Sequence, residues 1–233
     1  GLGDVYKRQG LPRAAEIIRE GIFRGADGGI VLTDRVLGGA DTLATSYSLA
    51  QAVKKIGNYD IILGGRQAID GDTAQVGPQI AEKLGLPQVT YAEEIVDLSD
   101  GHVTVRRRLE NGVETVKAPL PCVVTVNGSA AECRPRNARR VMQYKFAASA
   151  GELAKADERR KEIVAKRPEL QIKEWGAAFV EADPEQIGMP GSPTKVKAIE
   201  NVVFTAKESR RLDDSDAAIE DLVKELITNH TIG

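Results

Sequence analysis

The sequence predicts an α/β fold: a mostly parallel sheet covered by helices, with one antiparallel hairpin, a C-terminal arm and a final helix. In the first half of the 233-residue chain, helical and strand patterns alternate three times, which is typical of a parallel sheet. Two charged, alternating segments then flank Asn111 and Gly112, a hairpin signal. With 42% hydrophobic and 28% charged residues, the composition is that of a globular protein with a substantial core.

The predicted helices of the first half begin and end at residues that favour helix termini. Pro12 suits the first turn of a helix over residues 12–24. Asp41 is the predicted N-cap of the second helix, which Gly57 ends. Pro78 fits the first turn of the third helix far better than its interior.

The predicted buried strands are apolar runs rich in β-branched residues. They lie at residues 29–34, 59–65, 86–95 and 121–126. The hairpin strands, HVTVRRRLE and VETVKAPL, alternate apolar and charged residues, which favours a half-exposed antiparallel ribbon. We expect Asn111 and Gly112 to be the two turn residues, both with φ > 0.

The second half is predicted to be less regular. Residues 132–146 are basic and then helical, and residues 150–166 form a charged, solvated helix or linker. Residues 168–211 contain three prolines and little periodicity, which favours an extended arm over a second core. The final helix has one apolar face and Asp residues near its start. That face consists of Ile219, Leu222, Val223, Leu226 and Ile227.

We therefore predict three parts. Residues 1–9 lack an initiator Met and any hydrophobic period, and we expect them to be non-native sequence. Residues 10–146 form the α/β domain. Residues 147–233 form a charged linker, the extended arm and the C-terminal helix.

Composition excludes several functional classes. A net charge of −2 gives no global basic field, so nucleic acid is not an expected partner. Cys122 and Cys133 form no metal-ligand or disulfide pattern, which favours a reducing, cytoplasmic location. His102 and His230 are remote in sequence and are predicted to be surface residues, so we expect neither a metal site nor a catalytic triad. No apolar run reaches the roughly 20 residues that span a bilayer.

Two polar loops carry the candidate chemistry, GGADTLATS at 38–46 and GGRQAIDGDTAQVGP at 64–78. Each follows a predicted parallel strand, where open α/β sheets bind ligands. Backbone N–H groups that open the following helices can hold a phosphate. Asp70 and Asp72 would repel a phosphate and are better suited to cap a helix or bind ribose hydroxyls. The alternative is that these residues only cap helices and form turns, and the pattern alone leaves both open.

Three ordered blocks over residues 11–145 resemble the beta subunit of electron transfer flavoproteins. The first is GADTLATSYSLAQAV with YDIILGGRQAIDGDTAQVGPQIAEKLGLPQVTY. The second, VRRRLENGVETVKAPLPCVVT (105–125), resembles the family's signature stretch, although Asn111 stands where the family usually has Gly, Asp or Glu. The third and weakest is ECRPRNARRVMQYK (132–145).

The resemblance implies a doubly wound, adenine-nucleotide alpha-hydrolase-like domain that binds AMP or FAD at its sheet edge. It implies an electron carrier rather than a stand-alone catalyst, paired with a larger alpha subunit that holds the main FAD. It also implies that the family's first strand is missing before residue 10, and that the C-terminal arm and helix embrace the partner subunit. The cofactor-binding residues carried over from the family are Asp41, Thr42, Thr45, Ser46, Gln67, Ala68, Ile69, Asp70, Gly71, Asp72, Thr73, Ala74, Gln75, Val76 and Gly77.

The same resemblance implies a docking loop for a redox dehydrogenase. The family often has Leu at the position of Ala138, which here lies among arginines. The alternative is a solvated basic turn. The predicted docking residues are Arg134, Arg136, Ala138, Arg139, Arg140 and Met142.

The loop GADTLATS also resembles that of members that carry a second flavin, because its residues are small and rich in hydroxyls. It therefore predicts FAD rather than AMP in this subunit, and a two-flavin, electron-bifurcating complex. AMP here, with FAD on the alpha subunit, is the alternative. Two other functions stay open on the residues alone: an adenylate-processing enzyme of the hydrolase type, and a nucleotide-sensing module.

Overall fold

A computed structural model describes residues 11–69, 71–195 and 211–229. The chain forms two compact units, residues 1–195 and 196–233. The helices of the first unit are α1 (Leu11–Phe23), α2 (Thr42–Ile56), α3 (Val76–Leu84), α4 (Val141–Phe146), α5 (Ala150–Leu153) and α6 (Glu158–Lys166). Its strands are β1 (Ile30–Leu32), β2 (Ile61–Gly65), β3 (Gln88–Ser99), β4 (His102–Leu109), β5 (Gly112–Pro119), β6 (Cys122–Val126), β7 (Ala148–Ser149) and β8 (Gln171–Trp175).

The strands of this unit form two sheets. The larger has the order β2-β6-β3-β4-β5, in which β2, β6 and β3 are parallel and β3, β4 and β5 are antiparallel. The smaller has the order β1-β8-β7 and is parallel throughout. The predicted α/β class is confirmed. The prediction of a single sheet is wrong for the described residues, because β1 pairs with β8 and not with β2.

The predicted helix termini are confirmed in α2 and α3. The Asp41 carboxylate caps α2, and Gly57 ends it with φ at 81°. Pro78 is the third residue of α3, where its missing N–H breaks no helical hydrogen bond. The two helices pack against each other, and Leu49 of α2, Ile80 of α3 and Leu32 of β1 lie in one core cluster.

A second core lies against the larger sheet. Val103 and Val105 of β4 are fully buried there with Val89 of β3 and Val124 of β6. Each such side chain stabilises the fold by about 1.5–3 kcal/mol relative to an exposed one. Cys122 lies in the same cluster, and its burial raises the pKa of the thiol.

The hairpin of β4 and β5 is confirmed, but its turn is displaced by one residue from the prediction. Leu109 pairs with Gly112, so Glu110 and Asn111 form the turn and Gly112 opens β5. Of the two residues expected at φ > 0, only Gly112 has it, at 152°. The physical reason is that pairing of Val105 with Val116 fixes the register on the buried face.

A second two-residue turn joins β3 to β4 and was not predicted. Asp100 and Gly101 have φ of 51° and 71°, as a primed turn requires. Ser99 and His102 pair across it. The Asp-Gly dipeptide is itself the signal that identifies such a turn.

Residues 168–195 form packed structure where the sequence predicted an extended arm. Gln171–Trp175 is the central strand of the smaller sheet, and Trp175, Val180 and Ile187 lie in its core. The prediction failed because this strand is stabilised by pairing with β1, far earlier in the chain, and not by any local period. Residues 196–210 of the predicted arm lie outside the described residues.

The described part of the second unit contains the predicted final helix, α7 (Asp216–Thr228). The Ser215 hydroxyl caps it by accepting from the N–H of Ala218 at 3.3 Å. Ile219 and Ile227 of its apolar face are both about half exposed.

Candidate functional site

The two polar loops predicted to bind a cofactor meet at a single hydrogen bond. Thr42 Oγ1, in the first turn of α2, donates to Gln75 Oε1 at 2.9 Å. Gln75 is the residue before α3. The structure thus brings the start of α2 beside the loop that follows β2.

The opening of α2 is already filled by its own side chains. Asp41 Oδ1 accepts from the N–H groups of Leu43 and Ala44 at 2.9 and 3.0 Å. Thr45 and Ser46 are buried, and the Ser46 hydroxyl donates to the carbonyl of Leu43 at 2.8 Å. Of the four predicted residues in this loop, Asp41 and Thr42 are the ones that keep partial exposure.

Among the described residues, no side chain caps the opening of α3. Gln75 occupies the N-cap position with helical backbone angles, and its side chain makes no capping hydrogen bond. Val76 and Gly77 are the first residues of the helix. Their N–H groups have no helical acceptor and point out of the helix end, an arrangement that binds anions. A phosphate is therefore better accommodated at α3 than at α2.

The backbone of the loop before α3 is held in an uncommon conformation. Asp72 and Ala74 have φ of 47° and 53°, the left-handed region that non-glycine residues rarely occupy. The Asp72 N–H donates to the Ala68 carbonyl at 3.0 Å, and the Gln67 amide donates to the Asp72 carboxylate. Strain of this kind is characteristic of ligand-binding loops.

The remaining predicted residues of this loop that the structure describes are exposed or partly exposed to solvent. Ile69 is 98% exposed. Gly71 and Thr73 are also exposed. Asp70 lies outside the described residues. The predicted residues between β2 and α3 thus form an open surface loop at the carboxyl end of β2.

Gly77 lets α3 approach the larger sheet closely. A Cβ atom added at Gly77 would lie 2.4 Å from Cγ2 of Thr125, which no real contact allows. Thr125 is buried near the end of β6. The glycine therefore sets the distance between the uncapped helix end and the sheet.

A polar cluster in the first half of β3 was not predicted. Tyr91 takes φ of 59° at a register shift in β3. Beside it, Arg107 donates to Thr90 Oγ1 at 2.9 Å and forms an ion pair with Glu114 at 3.1 Å. The cross-strand register brings together Arg107 and Glu114, a basic and an acidic residue of the signature stretch.

Glu93 belongs to the same polar cluster. It accepts from Arg108 Nε at 2.5 Å and from the Ser129 hydroxyl. The Arg108 hydrogen bond, with that of Ser129, lowers the pKa of the Glu93 carboxyl. The sequence signal for these pairs is that basic residues on one strand are matched by acidic residues on a neighbouring strand. It identifies the partners only when the register between the two strands is known.

The predicted docking stretch lies against α1 and the loop after it. Arg136 forms an ion pair with Glu20, and Arg140 forms one with Asp27, both at 3.0 Å. The carbonyl of Arg134 accepts from Arg24 at 2.8 Å. Two of the arginines thus have intramolecular carboxylate partners.

The other predicted docking residues remain accessible. Arg139 is exposed and has no ion-pair partner in the described part of the chain, and Met142 is 50% exposed. Ala138 opens the short 3-10 helix Ala138–Arg140 and is exposed as well. These three residues and the exposed side chain of Arg134, which forms no ion pair within the described residues, are the free surface of the stretch.

Two further features concern metal binding and membrane-spanning helices. No group of three or more His, Cys, Asp and Glu side chains is arranged to hold a metal ion within the described ranges. Nor is any helix there long and apolar enough to cross a membrane.

Comparison with known proteins identifies the family. Residues 9–159 match the model of the electron transfer flavoprotein domain. The chain is 42% identical over 235 residues to the electron transfer flavoprotein subunit beta of Megasphaera elsdenii, covering 96% of this chain and 77% of that protein. It is 40% identical to protein FixA of Sinorhizobium fredii, covering 94% and 72%.

A third relative is the caffeyl-CoA reductase-Etf complex subunit CarD of Acetobacterium woodii. It is 40% identical over 196 residues, covering 84% of this chain and 66% of the relative. These matches confirm the resemblance carried by the three sequence blocks. The chain belongs to the electron transfer flavoprotein family, in the branch of its beta subunits.

Proposed function

We propose that this chain is a beta subunit that holds an adenine nucleotide and, with a larger alpha subunit, carries electrons between dehydrogenases and their acceptors. The observation that carries the proposal is the 42% identity to a beta subunit over 96% of the chain. Bound flavin supplies the reversible redox chemistry, which no side chain of the protein supplies. The chain is then a carrier subunit and not a stand-alone catalyst, and its two free cysteines suit a reducing cytoplasm.

The nucleotide site we propose is the loop of residues 66–77 with the uncapped end of α3. The N–H groups of Val76 and Gly77 suit a phosphate, and Pro78, which has no N–H, adds no third donor. Asp72 and Gln67, joined by a hydrogen bond, suit ribose hydroxyls or an amide. Thr42 completes the site from the α2 side through Gln75.

FAD, rather than AMP, is our proposal for this subunit. The proposal is supported by the GADTLATS loop, whose small and hydroxyl-bearing residues resemble those of family members that carry a second flavin. Val76 and Gly77 at the start of α3 would hold the phosphates of FAD, because Asp41 already occupies the first N–H groups of α2. Two flavins in one heterodimer would allow electron bifurcation.

Flavin stoichiometry tests these proposals. The chain is co-expressed with its alpha subunit, the complex is purified, and released FAD and AMP are quantified per heterodimer. Two FAD support FAD in this subunit, and one FAD with one AMP supports the alternative. A complex with one FAD and no second adenine nucleotide would contradict the proposed site, and a chain that hydrolyses or adenylates a substrate would support the enzyme class instead.

The docking surface that we propose consists of the predicted residues without an intramolecular ion pair in the described ranges, which are Arg134, Ala138, Arg139 and Met142. Exposed charge steers association and is screened over about 8 Å at physiological salt. Arg139→Glu should slow electron transfer to the dehydrogenase several-fold at low salt and leave the flavin spectrum unchanged. Arg159→Glu on α6, another exposed arginine, is the matched control. Transfer that responds to neither Arg139 nor salt would make the stretch a solvated turn.

The apolar face of α7 is the proposed contact with the alpha subunit. Ile219, Val223 and Ile227 lie one helical turn apart and are 41–53% exposed. Replacing Ile219 and Val223 by Asp should abolish co-purification with the alpha subunit. The control is Lys224→Asp, which reverses a charge paired with Glu220. Equal recovery of the alpha subunit with both variants would contradict this contact.

A further inference from the structure

Asp41 joins the start of α2 to a segment about 150 residues later in the chain. Its Oδ1 atom caps the helix through Leu43 and Ala44. Its Oδ2 atom accepts from the N–H of Thr194 at 3.0 Å. Its own N–H donates to Oγ of Ser192 at 2.9 Å. One residue therefore holds both the helix end and the distant segment.

The distant segment, residues 188–194, is called the clasp segment. It is seated firmly: Ser192 is buried, and its hydroxyl donates to the Gly188 carbonyl at 2.6 Å. Gly188 has φ of 53°, and a Cβ added there would lie 2.0 Å from the carbonyl oxygen of Val36. Only glycine permits this backbone-to-backbone approach. Ile187, just before the segment, lies in the core of the smaller sheet.

The contacts continue from the clasp segment to the proposed nucleotide site. Thr42 follows Asp41 directly, and its hydroxyl donates to Gln75 at the uncapped end of α3. A continuous path thus runs from Thr194 through Asp41 and Thr42 to Gln75. The path uses one hydrogen bond at each end and one peptide bond between them.

We propose that Asp41 is a positioning residue: by holding the clasp segment, it fixes the start of α2 so that Thr42 and Gln75 shape the nucleotide site. This inference rests on the proposed function. Release of the clasp segment frees the α2 opening and loosens Gln75. Because such coupling is reciprocal, bound nucleotide in turn stabilises the clasp.

Two variants separate positioning from direct contact with a ligand. Asp41→Asn keeps one oxygen for the helix cap and replaces the other by an NH₂ group, which cannot accept from Thr194. Ser192→Ala removes the acceptor for the Asp41 N–H and leaves the Asp41 side chain intact. The matched control is Asp157→Asn, at the N-cap of α6, where the carboxylate accepts from the N–H of Arg160 at 2.7 Å and from no other described residue.

The experiment measures amide hydrogen exchange at Thr194 and the affinity for AMP and for FAD, both on the full chain. In Asp41→Asn we expect exchange at Thr194 about tenfold faster, the effect of losing a hydrogen bond to a charged group. Both Asp41→Asn and Ser192→Ala should weaken nucleotide binding by about fivefold or more. Asp157→Asn should change neither quantity. Circular dichroism establishes that each variant is folded.

Three results would overturn the proposal. Unchanged exchange at Thr194 in Asp41→Asn would mean that no clasp exists in solution. Weaker binding in Asp41→Asn with normal binding in Ser192→Ala would mean that Asp41 contacts the ligand directly. If the wild-type chain binds neither nucleotide, the proposed function and the coupling both fail, while exchange at Thr194 still reports on the Asp41 hydrogen bond separately.

Discussion

The openings of α2 and α3 resemble each other in sequence and differ in structure. Both follow a parallel strand and a polar, glycine-containing loop. Asp41 closes the first by capping its N–H groups and binding the clasp segment. No side chain in the described part of the chain caps the second, and Asp72 and Ala74 in the loop before it have positive φ. The closed opening of α2 therefore supports the site, whereas the N–H groups at the open end of α3 are available to a ligand.

The largest expected effect comes from filling the open loop. Replacing Asp70 and Gly71 by Leu and Trp should abolish nucleotide retention without unfolding the sheets, because Gly71 lies in an exposed loop. Nucleotide content of the purified protein and its circular dichroism measure this. Gly28→Trp is the control, since an added Cβ there meets no atom within 4 Å. Unchanged nucleotide occupancy in the loop variant would contradict binding at the open end of α3.

The next effect comes from the approach of α3 to the sheet. Gly77→Ala forces a methyl group against Thr125 and should lower the free energy of unfolding by about 1–3 kcal/mol. Thr125→Ser removes the opposing methyl group, so the double variant should recover part of the loss. Urea denaturation of the two single variants and the double variant checks this. Strictly additive losses would show that the two side chains do not meet.

A smaller effect is expected when the stability of variants at the two helix openings is compared. Asp41→Ala removes a helix cap and should cost about 0.5–2 kcal/mol of stability. Gln75→Ala removes no cap and should stay within about 0.5 kcal/mol of wild type. Thermal or denaturant unfolding distinguishes them. Equal losses at the two positions would mean that the openings are energetically alike.

The smallest effect concerns pH. Arg108 lowers the pKa of Glu93, so this pair contributes stability above the ordinary pKa of a glutamate and loses it as pH falls through the lowered value. Arg108→Ala should therefore flatten the fall in stability on the acid side. Arg159→Ala, at an exposed position on α6, serves as the control. If stability falls equally with decreasing pH in both variants, the Arg108–Glu93 pair does not contribute to the pH dependence of stability.

Much of the fold could be predicted because its signals are local. Asp41, Gly57 and Pro78 mark helix termini through the chemistry of one or two residues, and the structure has those termini where the sequence indicated them. The hairpin was predicted for the same reason. Its turn was misplaced because the buried register of Val105 and Val116 outweighs the preference of the Asn-Gly pair.

The features that could not be predicted depend on distant partners. β8 becomes a strand by pairing with β1, about 140 residues earlier. Ser192 meets Asp41 across 151 residues. The ion pairs of Arg136 and Arg140 with α1 and its following loop likewise need the tertiary fold. Within the candidate site, the sequence could identify both loops but could not tell the closed opening from the open one.

We propose that nucleotide binds at the open end of α3 and not at the closed end of α2. Amide hydrogen exchange of the full chain, measured with and without saturating AMP or FAD, tests it most directly. We predict strong additional protection at Val76 and Gly77 and little change at Leu43 and Ala44, whose N–H groups Asp41 already binds. Protection gained at Leu43 and Ala44 but not at Val76 and Gly77 would contradict the account.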